Sequence, residues 1–400
     1  MPEIKSVPLS RAAAPRPGSA SRPSAASLRY AAPALLGYVA VRITGVAILL
    51  IAASATGKDG MHRLAGRWDS VWYQRIAEHG YGYEVRLPDG TFHSDLAFFP
   101  LLPALERGLS ALIPPLGVAG AGLLVSWLAS LAAAGGIFAV GARLYGRRAG
   151  VLLAVLWGAY PTAFVQSMAY TETLFTALAA WALYAVLTDR WITAGVLCVG
   201  AGLTRPVAAA LIAAIGVTAL WRLFTAWRAG EPLRTQLQMV VGACLAPLGW
   251  LSYIAFVAVR EGHPFAYFDV QADWNNRIDG GAALAAFVVE QFGRNVFAGL
   301  GLCAAFAFLF WVLWLCVRQR PRQPLPVITY CVVVVVISLI GSGYFGSRPR
   351  LMMPAFPLLL PAAVALAGAR RRTLPAVAVG VAALASGVYG AFTLLGSGPP

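Results

Sequence analysis

The chain has 400 residues, 59% of them hydrophobic, with a mean hydropathy of +0.70. A soluble core cannot use that much apolar sequence, so the composition excludes a soluble globular protein and predicts an all-α membrane protein with many spans. The net charge of +15 would suit a nucleic-acid-binding protein. However, the arginines lie in short loops between apolar runs, which is typical of a topology signal, so we exclude nucleic acid as a partner.

The N-terminal 30 residues are rich in Ala, Pro, Ser and Arg, and they predict a disordered, basic tail on the cytoplasmic side. The apolar stretch that follows, at about 32–56, is too long for the core of a signal peptide and is interpreted as the first membrane span. Arg42 lies well inside this span. Since an arginine in the membrane is costly unless it is paired or faces a polar cavity, Arg42 is a candidate ligand for the phosphate of a lipid.

Eleven membrane spans are predicted, with two long outer loops. Residues 57–117 form the first outer loop with two interfacial helices, one around Asp69 and one at 98–113, which is too short for a span. Residues 260–294 form the second outer loop. The ten spans after the first lie at about 118–141, 150–168, 171–187, 191–207, 208–226, 237–259, 295–317, 326–342, 351–368 and 374–395.

The distribution of charges sets the orientation of these spans. The predicted cytoplasmic segments hold 18 of the 31 basic residues but only three of the 16 acids, whereas the two outer loops hold nine basic residues and twelve acids. Because short cytoplasmic loops carry an excess of Lys and Arg, this asymmetry predicts a cytoplasmic N-terminus and places both long loops outside. The result is one multi-pass domain at 31–395 in the cell membrane, followed by a short outer tail at 396–400.

The run from Gly66 to Tyr81 is the most polar and aromatic stretch of the chain. Its apolar residues follow the spacing of one face of a helix in the membrane interface, with indole rings at headgroup level: Trp68, Val71, Trp72 and Ile76. Asp69 then falls in the first turn, where the helix dipole favours a carboxylate. Asp69 is therefore either a helix cap or the catalytic base of a sugar transferase.

Other unusual polar groups collect on the same outer side under this topology. An anionic lipid-linked donor needs cations at its phosphate, which arginine supplies through planar contacts, and the candidates are Arg205, Arg348 and Arg350 besides Arg42. Sugar rings pack on aromatic faces and are oriented by polar side chains. The candidate substrate-binding residues are Trp68, Trp72, Tyr73, His93, Tyr170, Glu172 and Trp274.

Each candidate has a structural alternative. Glu172 would serve equally as a helix cap, Arg205 as an interface anchor, and Arg348 and Arg350 as anchors that flank a span. Trp274 fits a surface loop. No motif requires a cofactor or a metal ion, although Asp69 and Glu172 would be able to bind a divalent cation if they converge.

Three motifs resemble those of the PIG-V family of mannosyltransferases, which add the second mannose of GPI anchors. The run at 67–81 (RWDSxWYxxIAxxGY) is similar to the first-loop motif of that family. The run at 97–103 (AFFPLLP) is similar to its second motif and the run at 170–175 (YTExxF) to its third. Their order and spacing match, and the general plan covers most of residues 30–395.

The resemblance implies the GT-C glycosyltransferase fold, with an active site on the non-cytoplasmic face. It implies inverting transfer of a sugar, usually mannose, from a polyprenyl-phosphate donor, with the first-loop aspartate, here Asp69, as the base. A cell-envelope or lipid-linked glycan is then the expected acceptor, and membrane lipids surround the protein. Two other functions stay open: a transporter or lipid flippase, and a scaffold that uses its outer loops to bind cell-wall enzymes.

Overall fold

The computed structural model describes residues 25–87, 90–318, 323–371 and 373–398, which are almost entirely helical. Its helices in chain order are α1 (Ala25–Ala55), α2 (Gly60–Ala65), α3 (Asp69–His79), α4 (Leu101–Leu112), α5 (Gly117–Tyr145), α6 (Arg147–Gly158), α7 (Thr171–Leu187), α8 (Trp191–Gly202), α9 (Ala208–Arg228), α10 (Leu237–Leu245), α11 (Leu248–Glu261), α12 (Ala266–Asp273), α13 (Ala282–Arg294), α14 (Val296–Arg318), α15 (Leu325–Ile340), α16 (Arg348–Met352), α17 (Leu360–Ala367) and α18 (Thr373–Leu395). Two short strands, β1 (Glu84–Arg86) and β2 (Phe92–Ser94), form an antiparallel hairpin.

Within these ranges, six helical segments are long and apolar enough to cross a membrane. They are α1, α5, α9, the α10–α11 segment, α14 and α18. The pair Phe345–Met352 and Phe356–Ala367, bent by 80°, makes a seventh if it is counted as one span. The helices α7, α8 and α15 are apolar but have only 10–17 residues. The all-α, multi-span fold class is confirmed, and the number of eleven spans stays a prediction.

Two predicted spans are not continuous helices. The span at 150–168 is the 12-residue α6 followed by irregular backbone, and the span at 351–368 is interrupted between α16 and α17. Twelve helical residues reach only about 18 Å, short of the roughly 30 Å hydrocarbon layer. Irregular backbone at membrane depth is tolerated where protein covers it, and the 3-10 turn Ala163–Ser167 is fully buried.

The other boundaries agree to within a few residues or differ for a visible reason. α7 has the predicted bounds, and the predicted interfacial helix at 98–113 is α4, which is not among the membrane-crossing candidates. α1 begins at Ala25, so residues 25–30 are helical and not part of a disordered tail. The rest of the predicted tail lies outside the described residues.

Small residues bring the central helices together. α5 packs on α6 and α7, and α1 packs on α6 and α18. A Cβ atom at Gly150 of α6 would lie 2.7 Å from the backbone of Phe138 and Ala142 in α5, so only glycine permits this approach. Close backbone contact of this kind is how membrane helices gain packing energy without a hydrophobic driving force.

The two long loops, which are predicted to be outer, form one unit around residues 94–98. Trp274 Nε1 donates a hydrogen bond to the carbonyl of Ser94 (3.0 Å) and Gln271 Nε2 to that of Ala97 (3.1 Å). Asp95 is buried and accepts hydrogen bonds from the backbone N–H groups of Gly82 and Tyr83. The second loop therefore fixes the segment that faces α3.

Candidate functional site

The backbone turns sharply just before α3. Trp68 has φ 53° and ψ −120°, a positive φ that is uncommon for a non-glycine residue. Arg67 holds this turn from one side: its guanidinium donates to the carbonyls of Leu394 and Gly396 at the end of α18 and lies 4.0 Å from the centre of the Trp68 ring. The turn comes directly before Asp69, the first residue of α3.

The buried face of α3 differs from the prediction. Ser70, Tyr73, Ile76 and Ala77 are buried, whereas Val71 is 50% exposed. Of the predicted apolar face through Trp68, Val71, Trp72 and Ile76, only Ile76 is buried in protein, and the position of this face in the membrane interface stays a prediction.

Asp69 makes an ion pair and does not cap its helix. Its Oδ2 lies 3.0 Å from Nη2 of Arg350, and its side chain is 25% exposed. The N-cap residue of α3 is Trp68, and no side chain closes that end. The backbone N–H of Asp69 donates to Oη of Tyr170 (3.1 Å), which ties the start of α3 to the start of α7. Asp69 thus combines a fixed backbone with a partly accessible carboxylate.

Glu172 supplies the second carboxylate. It is the second residue of α7 and is fully buried, and its Oε1 lies 2.6 Å from Nη1 of Arg205 and 3.4 Å from Nε of Arg350. Within the described residues neither carboxylate oxygen of Glu172 accepts a hydrogen bond, so Arg205 and Arg350 hold this side chain as ion pairs. Arg205 is oriented further by its hydrogen bond from Nη1 to Oγ1 of Thr171 (3.0 Å).

Arg350 lies between the two carboxylates. Its side chain is only 10% exposed, and its guanidinium carbon lies 5.3 Å from the centre of the Tyr170 ring. Nε and Nη1 of Arg350 are buried without a hydrogen-bond partner. The two acids balance the two guanidinium groups in charge, but Arg350 still has N–H donors to offer to an additional anion.

Two buried tyrosines complete this arrangement. Tyr73 shares a hydrogen bond with Thr171 (3.1 Å), and Tyr170 Oη lies 3.4 Å from the carbonyl of Arg67, to which it donates. Burial raises the pKa of both phenols, so they stay protonated at neutral pH and act as donors or packing surfaces. We call Asp69, Glu172, Arg205 and Arg350 the acid–guanidinium cluster.

Two of the predicted phosphate ligands lie elsewhere. Arg348 donates to the carbonyls of Ser338 (2.7 Å), Leu339 (2.9 Å) and Gly341 (2.7 Å), which end α15 or follow it. Arg42 donates to the carbonyl of Gly158 and to Oγ of Ser167. The structure thus brings Arg205 and Arg350 to the acids, whereas Arg348 bonds backbone carbonyls and Arg42 bonds one carbonyl and one hydroxyl.

The predicted aromatic residues form a second group beside α3. Trp72 stacks on Phe98 (ring centres 5.5 Å apart, planes at 9°) and meets Trp274 edge-on at 5.0 Å. His93 stacks on Trp274 with ring centres 4.0 Å apart, and its Nε2 is buried without a hydrogen-bond partner. We call Trp72, His93, Phe98 and Trp274 the aromatic cluster. Trp72 is three residues after Asp69, hence on the same side of α3.

The sequence analysis missed Thr171 and Phe98 as parts of these groups. Both stand inside quoted motifs, but their roles depend on contacts with Arg205, Tyr73 and Trp72 that no spacing reveals. In the part of the chain that the structure describes, no three His, Cys, Asp or Glu side chains are grouped to hold a metal ion. Asp69 and Glu172 both face Arg350 instead.

Two solved structures share this fold. The chain aligns with ArnT from Cupriavidus metallidurans bound to undecaprenyl phosphate (TM-score 0.54, 16% identity, 86% of this chain and 62% of that chain). It aligns likewise with the apo state of the same protein (TM-score 0.53, 18% identity, 86% and 61%). The chain therefore spans less than two thirds of ArnT, and at this identity the likeness shows the GT-C fold alone.

No curated protein shows significant sequence similarity to the chain. By contrast, residues 54–269 match the family described as Mannosyltransferase (PIG-V). The matched range exceeds half of the 400 residues and includes Asp69, Glu172 and Arg205. The chain thus belongs to the family described as Mannosyltransferase (PIG-V).

Proposed function

We propose that this enzyme transfers a sugar, most simply mannose, from a polyprenyl-phosphate donor to an acceptor hydroxyl with inversion. The observation that carries the proposal is the pairing of Asp69 with Arg350. A partly exposed carboxylate and a buried guanidinium with unused N–H donors lie 3.0 Å apart. One group accepts a proton and the other stabilises an anion, which are the two needs of a displacement at a sugar phosphate.

The proposed step is a single displacement. The acceptor oxygen attacks the anomeric carbon while Asp69 takes its proton, and the bond from that carbon to the phosphate oxygen breaks. The bonding pair leaves with the polyprenyl phosphate, whose added charge the guanidinium groups of Arg350 and Arg205 stabilise. Attack on the face opposite the phosphate inverts the anomeric configuration. Glu172 holds both guanidinium groups in orientation.

Support for the donor class comes from the fold and from the chemistry of the cluster. The ArnT structure with the same fold contains undecaprenyl phosphate, a polyprenyl phosphate. A lipid phosphate lies at the membrane interface, where paired arginines bind it through planar, bidentate contacts. The charge asymmetry of the loops supports a site on the non-cytoplasmic face and a cytoplasmic N-terminus.

For the acceptor, we propose a lipid-linked or cell-envelope glycan. The aromatic cluster offers rings from both outer loops next to Asp69, Trp68 adds a ring at the start of α3, and Tyr73 packs beneath Phe98. Apolar faces of sugar rings pack on such side chains. The unpartnered Nε2 of His93 is a group that a sugar hydroxyl would satisfy.

The test is transfer from radiolabelled polyprenyl-phosphate-mannose to membrane acceptors, comparing wild type with Asp69→Asn. We expect the variant to lose about 10²- to 10⁴-fold in rate, because asparagine cannot accept the proton. Asp59→Asn is the matched control: Asp59 lies in the same loop and caps α2 at the N–H of His62, a role that asparagine also fills.

Full transfer by Asp69→Asn at equal folded yield would contradict Asp69 as the base. Absence of transfer by the wild type would contradict mannose as the sugar of the donor. Polyprenyl-phosphate-glucose and polyprenyl-phosphate-arabinose would then be tested in the same membranes.

A further inference from the structure

Arg42 is a positive charge in the middle of α1, a span that is otherwise apolar. Such a charge is costly in a membrane unless protein groups surround it. None of the ion pairs formed within the described ranges includes Arg42. Its Nη1 donates to the carbonyl of Gly158 (3.1 Å) and its Nη2 to Oγ of Ser167 (2.8 Å). The positions of these two acceptors indicate the structural role of the Arg42 guanidinium.

Gly158 stands at the start of the irregular segment between α6 and α7, and Ser167 stands near its end. Gly158 is the last residue of α6, where helix carbonyls lack partners, and Ser167 ends the 3-10 turn. In a membrane, such backbone must be satisfied from within the protein. One planar guanidinium reaches both ends at once, so Arg42 fixes their separation. We call residues 158–170 the interrupted segment.

Other helices hold the same segment. Tyr38 of α1 donates to Oε1 of Gln166 (3.0 Å), and Trp127 of α5 donates from Nε1 to the carbonyl of Ser167 (2.9 Å). Ser386 of α18 donates to the carbonyl of Tyr160 (2.7 Å). These bonds come from neutral groups, whereas Arg42 supplies the charged donors. Hydrogen bonds with a charged partner are roughly twice as strong as neutral ones.

The interrupted segment adjoins both Glu172 and the residues that flank Arg350. At its C-terminal end it leads directly to Tyr170 and, two residues later, to Glu172. At its N-terminal end Tyr160 Oη donates to the carbonyl of Pro349 (3.0 Å), next to Arg350. Trp157 Nε1, one residue before the segment, donates to the carbonyl of Met353 (3.2 Å), on the other side of Arg350.

From these contacts we infer that Arg42 is a positioning residue: by fixing the interrupted segment, it sets Glu172 opposite Arg350. It does not touch either residue, and it acts through Gly158 and Ser167. This assignment differs from a role in binding the donor phosphate, which the position of Arg42 in the sequence first indicated. The inference rests on the proposed function for its kinetic readout, but its structural readout is independent of catalysis.

The experiment compares wild type with Arg42→Gln, Arg42→Lys and Ser167→Ala in transfer from polyprenyl-phosphate-mannose. For Arg42→Gln we expect kcat to fall about 10- to 100-fold with the KM for the donor changed less than about twofold, because misplacement of the cluster affects chemistry. Arg42→Lys keeps the charge but cannot span both acceptors, so it should recover only part of kcat. Ser167→Ala should show a smaller fall and little further effect when combined with Arg42→Gln.

The control on the same helix is Thr44→Ala, whose hydroxyl donates to the carbonyl of Ala40 within α1. It should leave kcat within about twofold of wild type. A rise in donor KM of tenfold or more in Arg42→Gln, with kcat kept, would overturn the inference in favour of phosphate binding. A fall in activity that matches the loss of folded protein would overturn it in favour of a general stabilising role.

Hydrogen–deuterium exchange on the same proteins separates failure of this inference from failure of the proposed function. Arg42→Gln should speed exchange in residues 158–170 and 348–356 and leave α9 unchanged. Unchanged exchange in both segments would overturn the inference even if transfer is observed. Faster exchange without transfer by the wild type would support the coupling and reject the proposed reaction. If Arg42→Gln gives too little folded protein, Ser167→Ala and Tyr38→Phe carry the same comparison.

Discussion

Arg348 and Arg350 stand two residues apart on α16 and are almost equally buried, but their surroundings differ in kind. The guanidinium of Arg348 faces three backbone carbonyls at the end of α15. That of Arg350 faces the carboxylates of Asp69 and Glu172, and among the described residues its buried Nε and Nη1 donate no hydrogen bond. Carbonyl dipoles at a helix end favour a cation and hold it in place.

The acceptors of each guanidinium distinguish an arginine that holds backbone from one that is able to bind a further anion. Arg348 spends its donors on the backbone and has the contacts of a cap on α15. Arg350 makes ion pairs that an incoming anion is able to share, and its Nε and Nη1 groups are able to donate hydrogen bonds to that anion. Burial and sequence position, which are nearly the same for both, do not distinguish them.

The largest expected effect is on the Arg350 side of this comparison. Arg350→Gln should lower the transfer rate about 10²- to 10³-fold, because the departing phosphate loses its nearest donor and Asp69 loses its partner. Arg350→Lys should recover part of that rate, since the charge remains but the planar fork is lost. Initial rates per folded molecule measure both. A loss of less than tenfold in Arg350→Gln would break the comparison.

On the other side, Arg348→Gln should act mainly on stability. Removing a charged donor from three carbonyls should lower the free energy of unfolding by about 2–3 kcal/mol, while the transfer rate per folded molecule falls less than tenfold. Thermal unfolding of the purified protein in detergent, together with the rate assay, measures this. A large rise in donor KM with no change in Tm would instead indicate that Arg348 binds the donor phosphate.

The comparison extends to acids, with a smaller effect. Glu106 of α4 is fully buried like Glu172, but within the described residues it lacks the ion pairs that Glu172 makes, and its oxygens accept no hydrogen bond. Burial, with a lesser contribution from Glu78, raises the pKa of Glu106 to about 9. The folded protein therefore keeps a proton that the unfolded chain releases above its ordinary carboxyl pKa. Stability contributed by Glu106 is present at low pH and is lost as pH rises towards 9.

Glu106→Gln should remove this dependence, because the amide resembles the protonated acid and does not ionise. We expect its Tm to exceed that of wild type by at least about 2 °C at pH 8, with a smaller difference at pH 5. Thermal unfolding across this pH range checks it. A difference that is equal at both pH values would show that Glu106 is ionised or partnered in the folded protein.

Much of the fold follows from the sequence because hydropathy and charge act locally. The bounds of α7 were predicted, and Asp69 and Glu172 were found as polar residues at the starts of helices. The interruption after α6 was missed, since residues 159–168 are apolar enough to pass as helix. Pro161 stands at the break, where it lacks a backbone donor and disfavours helix at the residue before it. Arg42 and Trp127, which are distant in sequence, satisfy carbonyls of the irregular backbone, and Tyr38 holds the side chain of Gln166.

The candidate site was likewise predicted only as far as local sequence determines it. Arg205 and Arg350 were among the candidates, but nothing local separates Arg350 from Arg348. The difference arises from the position of the end of α15, which depends on the tertiary structure. Thr171 was missed for a similar reason, since its hydroxyl matters only because Tyr73 and Arg205 both reach it.

The positive φ of Trp68 has a consequence for how this sequence can change. A non-glycine residue in that region stores about 1–3 kcal/mol of strain, which the surrounding contacts must maintain. Glycine would adopt the same turn without strain, but it would remove the indole on which Arg67 packs. Relief of backbone strain and retention of the contact with Arg67 therefore make opposite demands on the residue before Asp69.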